Sequence, residues 1–277
     1  MHGCSGLALI LSASASLAEP LTFLRTMPLT GLGGVSAIEV EDAGRTALVL
    51  SDRGAGYRFD ILRDGQTARI ANVTDVMLPF PHRDTEGLAV ADGKTFLSYE
   101  APAEVSTLSG QVLPSPRAFH DLPANGALEA LAIAPDGALY TLPENPRNGG
   151  GPIPIYRFQD NRWTVVAHLP RSEGFAPTGA DFGPDGLLYI LERSFSALGF
   201  RTRIRRVDPM GGTLNPETLL TTRLRTHDKL EGLSVWSSDS GAVCLSMVSD
   251  NNFLSIQASE LVEYALTETL AGGARCD

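Results

Sequence analysis

The run Asp84-Thr85-Glu86-Gly87-Leu88-Ala89-Val90, followed after a short polar turn by Thr95-Phe96-Leu97-Ser98-Tyr99-Glu100, decides how the chain is read. An apolar strand leaves a carboxylate–Gly start, turns at Asp92-Gly93 and returns to a second carboxylate. Asp-Gly between two apolar runs is a strong hairpin signal. Four other segments repeat the phrase. They are Gly33-Gly34-Val35-Ser36 with the strand 46–52, Leu128-Glu129-Ala130-Leu131 with 138–144, Pro177-Thr178-Gly179-Ala180 with 187–193, and Leu230-Glu231-Gly232-Leu233 with 242–250. Aligned on positions 34, 87, 130, 179 and 232, they stand 53, 43, 49 and 53 residues apart. That period, with several short strands per unit, is the mark of a β-propeller.

Outer strands follow each hairpin. Segments 57–62, 67–70, 154–158, 163–167, 202–207 and 216–220 alternate apolar and polar residues, as strands with one wet face do. The fifth unit offers only 260–266 beyond its hairpin, so 21–25 near the N-terminus is expected to supply its missing strand and close the ring. The expectation is an all-β, single-domain propeller of five four-stranded blades over 19–277. Six blades result if a degenerate unit occupies 101–127 or 144–176.

Composition limits the function classes. Net charge is −10, which disfavours a nucleic-acid partner, since phosphate binding needs clustered Lys and Arg. Residues 1–18 hold a short apolar core, Leu7–Leu11, and a small-residue site near Ala18, the pattern of a secretory signal without its basic start. No other segment is a candidate membrane span. A monomer that is periplasmic or secreted is expected. Cys4 would leave with the signal; Cys244 and Cys276 either pair in an oxidising compartment or remain a buried thiol and a loose one.

Inner propeller strands run in a common direction, so hairpin starts and ends gather at one mouth. The starts are Gly33, Glu86, Glu129, Thr178 and Glu231; the ends are Asp52, Glu100, Glu144, Glu192 and Asp250. Eight of these ten slots are carboxylates, and gathered like charges call for a compensating cation. Ca²⁺ suits an all-oxygen set, whereas His and Cys, which zinc or copper would favour, are missing from the slots. The alternative is that each acid closes its blade by binding backbone N–H groups or a loop Arg. Arg53 and Arg193 follow two end slots and could bind an anion or pair with the acids. Asn251 and Asn252 could bind a ligand or simply form a turn. His82 and His227 precede two starts, as general bases or as bystanders. The chain lacks GxSxG, P-loop, HExxH and GxGxxG motifs.

Several runs resemble the phytase-like propeller family described as esterase-like activity of phytase. They are Ser51-Asp52-Arg53-Gly54, Asp84-Thr85-Glu86-Gly87, Leu191-Glu192-Arg193-Ser194-Phe195, Arg203-Ile204-Arg205-Arg206 and Ser249-Asp250-Asn251-Asn252-Phe253. The resemblance spans nearly the whole chain after residue 18. It implies an exported propeller with an acidic, calcium-binding mouth that hydrolyses a small-molecule phosphoester or other ester. Ala130 departs from the Gly of the other units, and Thr178 stands where three of them show Glu. The rival readings are a non-catalytic, calcium-stabilised binding propeller and a metal-dependent, lactonase-like hydrolase.

Overall fold

A computed structural model describes residues 20–64, 67–145, 150–249 and 259–277. The first blade is β2 (Val35–Glu41), β3 (Thr46–Ser51), β4 (Ala55–Asp64) and β5 (Thr67–Val76), in that order from channel to rim. The second holds three strands among the described residues, β6 (Thr85–Ala91), β7 (Lys94–Tyr99) and β8 (Glu104–Thr107). The third is β9 (Ala130–Ile133), β10 (Leu139–Leu142), β11 (Ile153–Gln159) and β12 (Arg162–Leu169). The fourth is β13 (Ala176–Phe182), β14 (Leu188–Ser196), β15 (Gly199–Val207) and β16 (Glu217–Thr221). In the fifth, β17 (Leu230–Ser237), β18 (Val243–Ser249) and β19 (Glu260–Leu266) are completed by β1 (Leu21–Pro28) from the other end of the chain. The ring is therefore closed as the sequence predicts, with five blades, and β19 is left without an open edge.

The second blade departs from the expected four strands. Instead of a fourth strand, residues 111–113 fold back on β8, where Thr107 N–H donates to Gln111 (2.9 Å) and Leu113 N–H to Val105 (2.8 Å). The short helix α1 (Arg117–His120) then carries Phe119 against Tyr156 and Trp163 of the third blade, ring centroids 5.1 and 5.2 Å away. Segment 101–127 thus packs as a filler rather than as a sixth blade, and 144–176 supplies the outer strands of the third.

The core follows from the strand pattern. Five apolar clusters form, and each joins two neighbouring blades: Leu48, Leu50, Leu88 and Leu97 between the first and second, for example, and Ile38, Val49, Cys244 and Val248 between the first and fifth. Inner strands buried on both faces read as continuous apolar runs, and Leu97 and Val49 have no exposure. Small hydroxyls stitch blades at the mouth: Ser36 donates to Thr85 O (2.6 Å), Thr85 to Ser51 O (2.6 Å) and Ser98 to Leu128 O (2.7 Å). The inner strands approach so closely that a Cβ on Gly179 would lie 2.6 Å from Glu231 O, which explains the recurrent glycine. A Cys244–Cys276 disulfide fastens the C-terminal segment to the last blade. No helix among the described residues is long and apolar enough to cross a membrane.

Candidate functional site: a carboxylate mouth

Four of the five inner hairpins begin with a β-bulge. One residue of the first strand lies outside the ladder: Ser36 between Val35 and Ala37, Glu86 between Thr85 and Gly87, Thr178 between Pro177 and Gly179, and Glu231 between Leu230 and Gly232. A bulge re-aims a side chain. Glu129 holds the same place, because Glu144 N–H donates to Ala127 O as Glu100 N–H does to Asp84 O. The start slot of the first blade is therefore Ser36, three residues beyond the predicted Gly33, and neither is acidic.

The ladder also corrects one end slot. Val35, Thr85, Pro177 and Leu230 pair with Ser51, Tyr99, Glu192 and Ser249. Glu192 is thus level with Ser51 and Tyr99, one residue short of Asp52 and Glu100, and Arg193 occupies the slot. A shift of one residue turns a side chain to the opposite face of a strand. Glu192 is fully buried and accepts from Arg203 Nε (2.7 Å) and Nη2 (3.2 Å) and from Arg205 Nε (2.7 Å) and Nη2 (2.6 Å). Both oxygens are consumed in a self-contained ion pair, so Glu192 leaves the expected metal set.

Arg193 divides the mouth in two. Its Nη1 lies 2.7 Å from Glu231 Oε1 and its Nη2 3.5 Å from Glu144 Oε1; Lys229 Nζ lies 2.7 Å from the same Glu231 oxygen. That half is compensated by cations. On the other half, one oxygen from each of Asp84, Glu86 and Glu100 lies within 4.8 Å of the others. Glu100 accepts from Gly126 N–H, and Asp84 Oδ1 is buried with no hydrogen-bond partner among the described residues. Arg83, beside this cluster in sequence, turns away: it pairs with Glu104 (3.0 Å) and lies over the Tyr99 ring, 4.1 Å from its centroid. Glu86 and Glu129 also line the narrow channel with Gly87, Leu131, Gly179 and Gly232.

Electrostatics follow from this crowding. Burial raises the Glu86 carboxyl well above its ordinary value, and Glu129, Asp84, Glu231 and Glu100 raise it further. Burial likewise raises Glu129, helped by Glu144 and Glu231. Glu100 is pushed up to about 7 by burial and by the adjoining Asp84. Desolvation and like charge both favour the neutral acid unless a cation is bound.

A second acidic layer went unnoticed in the sequence. Glu39 and Asp181 sit two residues along from Ala37 and Gly179 and bind the free inner edges of neighbouring blades. Glu39 accepts from Ser234 Oγ (3.1 Å) and Val90 N–H (3.3 Å), and Asp181 from Val235 N–H (2.6 Å) and Phe182 N–H (2.7 Å). Burial pushes Asp181 up to about 7 and raises Glu39, with Asp181 adding to the effect on Glu39. The signal available was an acid inside an otherwise apolar inner strand. Asp84 was also missed as a ligand, because no other repeat carries an acid at its position.

Of the remaining predicted residues, Asp52 is half-buried and keeps its end slot, its N–H donating to Gly34 O as Glu100 N–H does to Asp84 O, and Arg53 beside it is exposed. His82 is exposed, on a loop packed so closely on Gly54 that a Cβ there would lie 2.6 Å from His82 N. His227 Nε2 lies 2.7 Å from Tyr264 Oη, and burial lowers its pKa, so the imidazole is neutral at pH 7. Asp250, Asn251 and Asn252, like the expected signal segment, lie outside the described residues.

Fold and mouth together define a five-bladed propeller with a carboxylate-lined channel entrance. Residues 30–253 match the Phytase-like family, described as esterase-like activity of phytase, and the chain belongs to that family. Among solved structures, an endo-arabinase from Bacteroides thetaiotaomicron is similar in fold, with 14% identity, a TM-score of 0.50, and coverage of 88% of this chain and 97% of its own. A regucalcin from Agrobacterium tumefaciens, described as a calcium-binding protein, aligns at 11% identity and a TM-score of 0.48 over 84% of this chain and 90% of its own. Comparison with curated proteins gives no match.

Proposed function

We propose that the protein is an exported, Ca²⁺-dependent hydrolase of phosphate or other esters, working at the carboxylate mouth. The observation that carries the reading is the convergence of Asp84, Glu86 and Glu100 around a buried Asp84 oxygen that no group among the described residues satisfies. An all-oxygen, anionic donor set fits a hard divalent cation. Asp84, Glu86 and Glu100 would hold it, with Glu129 behind them; Asp52 and Glu144 are the outer candidates, and Glu231 is drawn toward Arg193 and Lys229. Held by these residues, such an ion would supply Lewis-acid chemistry for ester hydrolysis. Arg193 is held at the edge of the site by Glu231 and Glu144, positioned to favour negative charge developing on the ester. Arg53 adds a rim cation for an anionic substrate. His82 and the neutral His227 are the candidate proton acceptors. The Cys244–Cys276 bond is compatible with an oxidising compartment. Turnover of a panel of phosphomonoesters, carboxylic esters and lactones is expected to vanish in EGTA and return with Ca²⁺; persistence in excess EGTA contradicts the reading.

A non-catalytic, calcium-stabilised binding propeller is favoured by a different observation. Arg193 and Lys229 both contact Glu231, and His227 Nε2 contacts Tyr264, so the polar groups near the mouth are already engaged. Ca²⁺ raises the melting temperature under either reading. Only the enzyme turns over a member of the panel, and turnover confined to lactones would mark the lactonase-like variant.

A further inference from the structure

The β14–β15 hairpin extends past the mouth and presents an apolar wall. Phe195 and Phe200 pair across it, ring centroids 5.2 Å apart. At its tip Phe195 is 71% and Leu198 72% exposed. Facing them, residues 225–228 and Glu260 complete a cavity of about 590 Å³. That volume lies in the range of small-molecule sites, roughly 300–1,000 Å³. Aromatic and aliphatic surface held in water at the wall of a concave site is surface a ligand can cover favourably.

The cavity is joined to the carboxylate mouth through two side chains. Arg193, which contacts Glu231 and Glu144, lies 5.8 Å from the centroid of the Phe200 ring. Lys229 pairs with Glu231, while its backbone N–H donates to Asp228 Oδ1 (3.0 Å) in the cavity wall. His227, also in that wall, is fixed by Tyr264 and by stacking near Phe23. A molecule whose polar head reaches Arg193 therefore has its next few atoms beside the Phe200 ring, with Phe195 packed on that ring and Leu198 further out at the hairpin tip.

We infer that this cavity binds the apolar, ring-bearing portion of the ester, so that the substrate class is a hydrophobic aryl ester rather than a polyanion. The ester part of this inference rests on the hydrolase reading above; the cavity's affinity for an aromatic ring does not. The wall opposite the rings disfavours additional anionic groups. Asp228 and Glu260 both line it, and burial together with Asp228 raises the Glu260 carboxyl. Arg225 is the cationic side chain among the lining residues, against two acids. A ligand bearing several phosphates would meet repulsion there, whereas a neutral ring would not.

Calorimetric titration of the full chain with 2-naphthol, with and without Ca²⁺, tests the cavity without requiring turnover. Saturable binding is expected, weakened at least about fivefold by Phe195→Ser and by Leu198→Ser, the scale of one aromatic or aliphatic contact. Both positions are exposed, and unchanged melting temperatures would show the variants folded. With 2-naphthyl acetate and ethyl acetate as a substrate pair, the ratio of kcat/KM values is expected to fall in the same variants. Absence of saturable naphthol binding, or binding indifferent to both substitutions, overturns the inference even if esters are hydrolysed. Naphthol binding that responds to the substitutions, without turnover of either ester or of any member of the panel above, upholds the cavity and removes the hydrolase reading.

Discussion

At Glu192 a carboxylate is enclosed by two guanidiniums, whereas at Glu86 it faces other carboxylates. Glu86 opens one inner hairpin and Glu192 closes another, and both are expected at the mouth, yet strand register gives them opposite surroundings. Removing one partner of a buried ion pair leaves a desolvated charge, so Glu192→Gln is expected to cost about 3–5 kcal/mol in urea unfolding, with calcium affinity unchanged. Asp84→Asn and Glu100→Gln should do the reverse. Each lowers calcium affinity about tenfold or more, and each raises the stability of the calcium-free protein by easing repulsion. Glu86, Glu129 and Glu231 could be read from sequence because each precedes the small residue that marks a bulge. Glu192 could not be placed, because Leu191-Glu192-Arg193 does not reveal which of two neighbours faces the mouth; the pairing of Pro177 with Glu192 decides it.

The closing blade shows how elements far apart in sequence share one sheet. β1 pairs with β19 from Leu21↔Leu266 to Pro28↔Glu260, and the Cys244–Cys276 bond ties the chain end to β18. Replacing both cysteines by serine releases a loop with a sequence separation of 32 residues. By chain entropy this should lower stability by about 4 kcal/mol, measurable as a lower melting temperature. The hairpins were readable from alternation and Asp-Gly turns. The second blade's three strands were not, because its rim is completed by irregular chain around Leu113 and Phe119, whose burial follows from tertiary contacts with Tyr156 and Trp163 rather than from any local period.

Across the whole molecule, five apolar interfaces surround a channel that carries more buried acid than its cations balance at the Asp84 side. Glu39 and Asp181 add a pH dependence separate from that of the mouth. An unfolded Asp titrates near 4, and Asp181 in the fold titrates at about 7, so the folded state holds its proton longer. Its stabilising contribution is complete below about pH 4 and is lost as pH rises through about 7. In EGTA the melting temperature should therefore fall between about pH 4 and 7, and Asp181→Asn should flatten that slope. The Glu39, Ser234, Val90 and Val235 contacts remain as the environment of the change.

The central claim is that Asp84, Glu86 and Glu100 form a divalent-cation site. Calorimetric titration of the chelator-stripped full chain with Ca²⁺, alongside Asp84→Asn and Glu86→Gln, tests it most directly. The account predicts saturable binding by the parent protein, at least about tenfold weaker in each variant, as expected when one anionic ligand is neutralised. No saturable binding, or binding of equal strength in both variants, would contradict it.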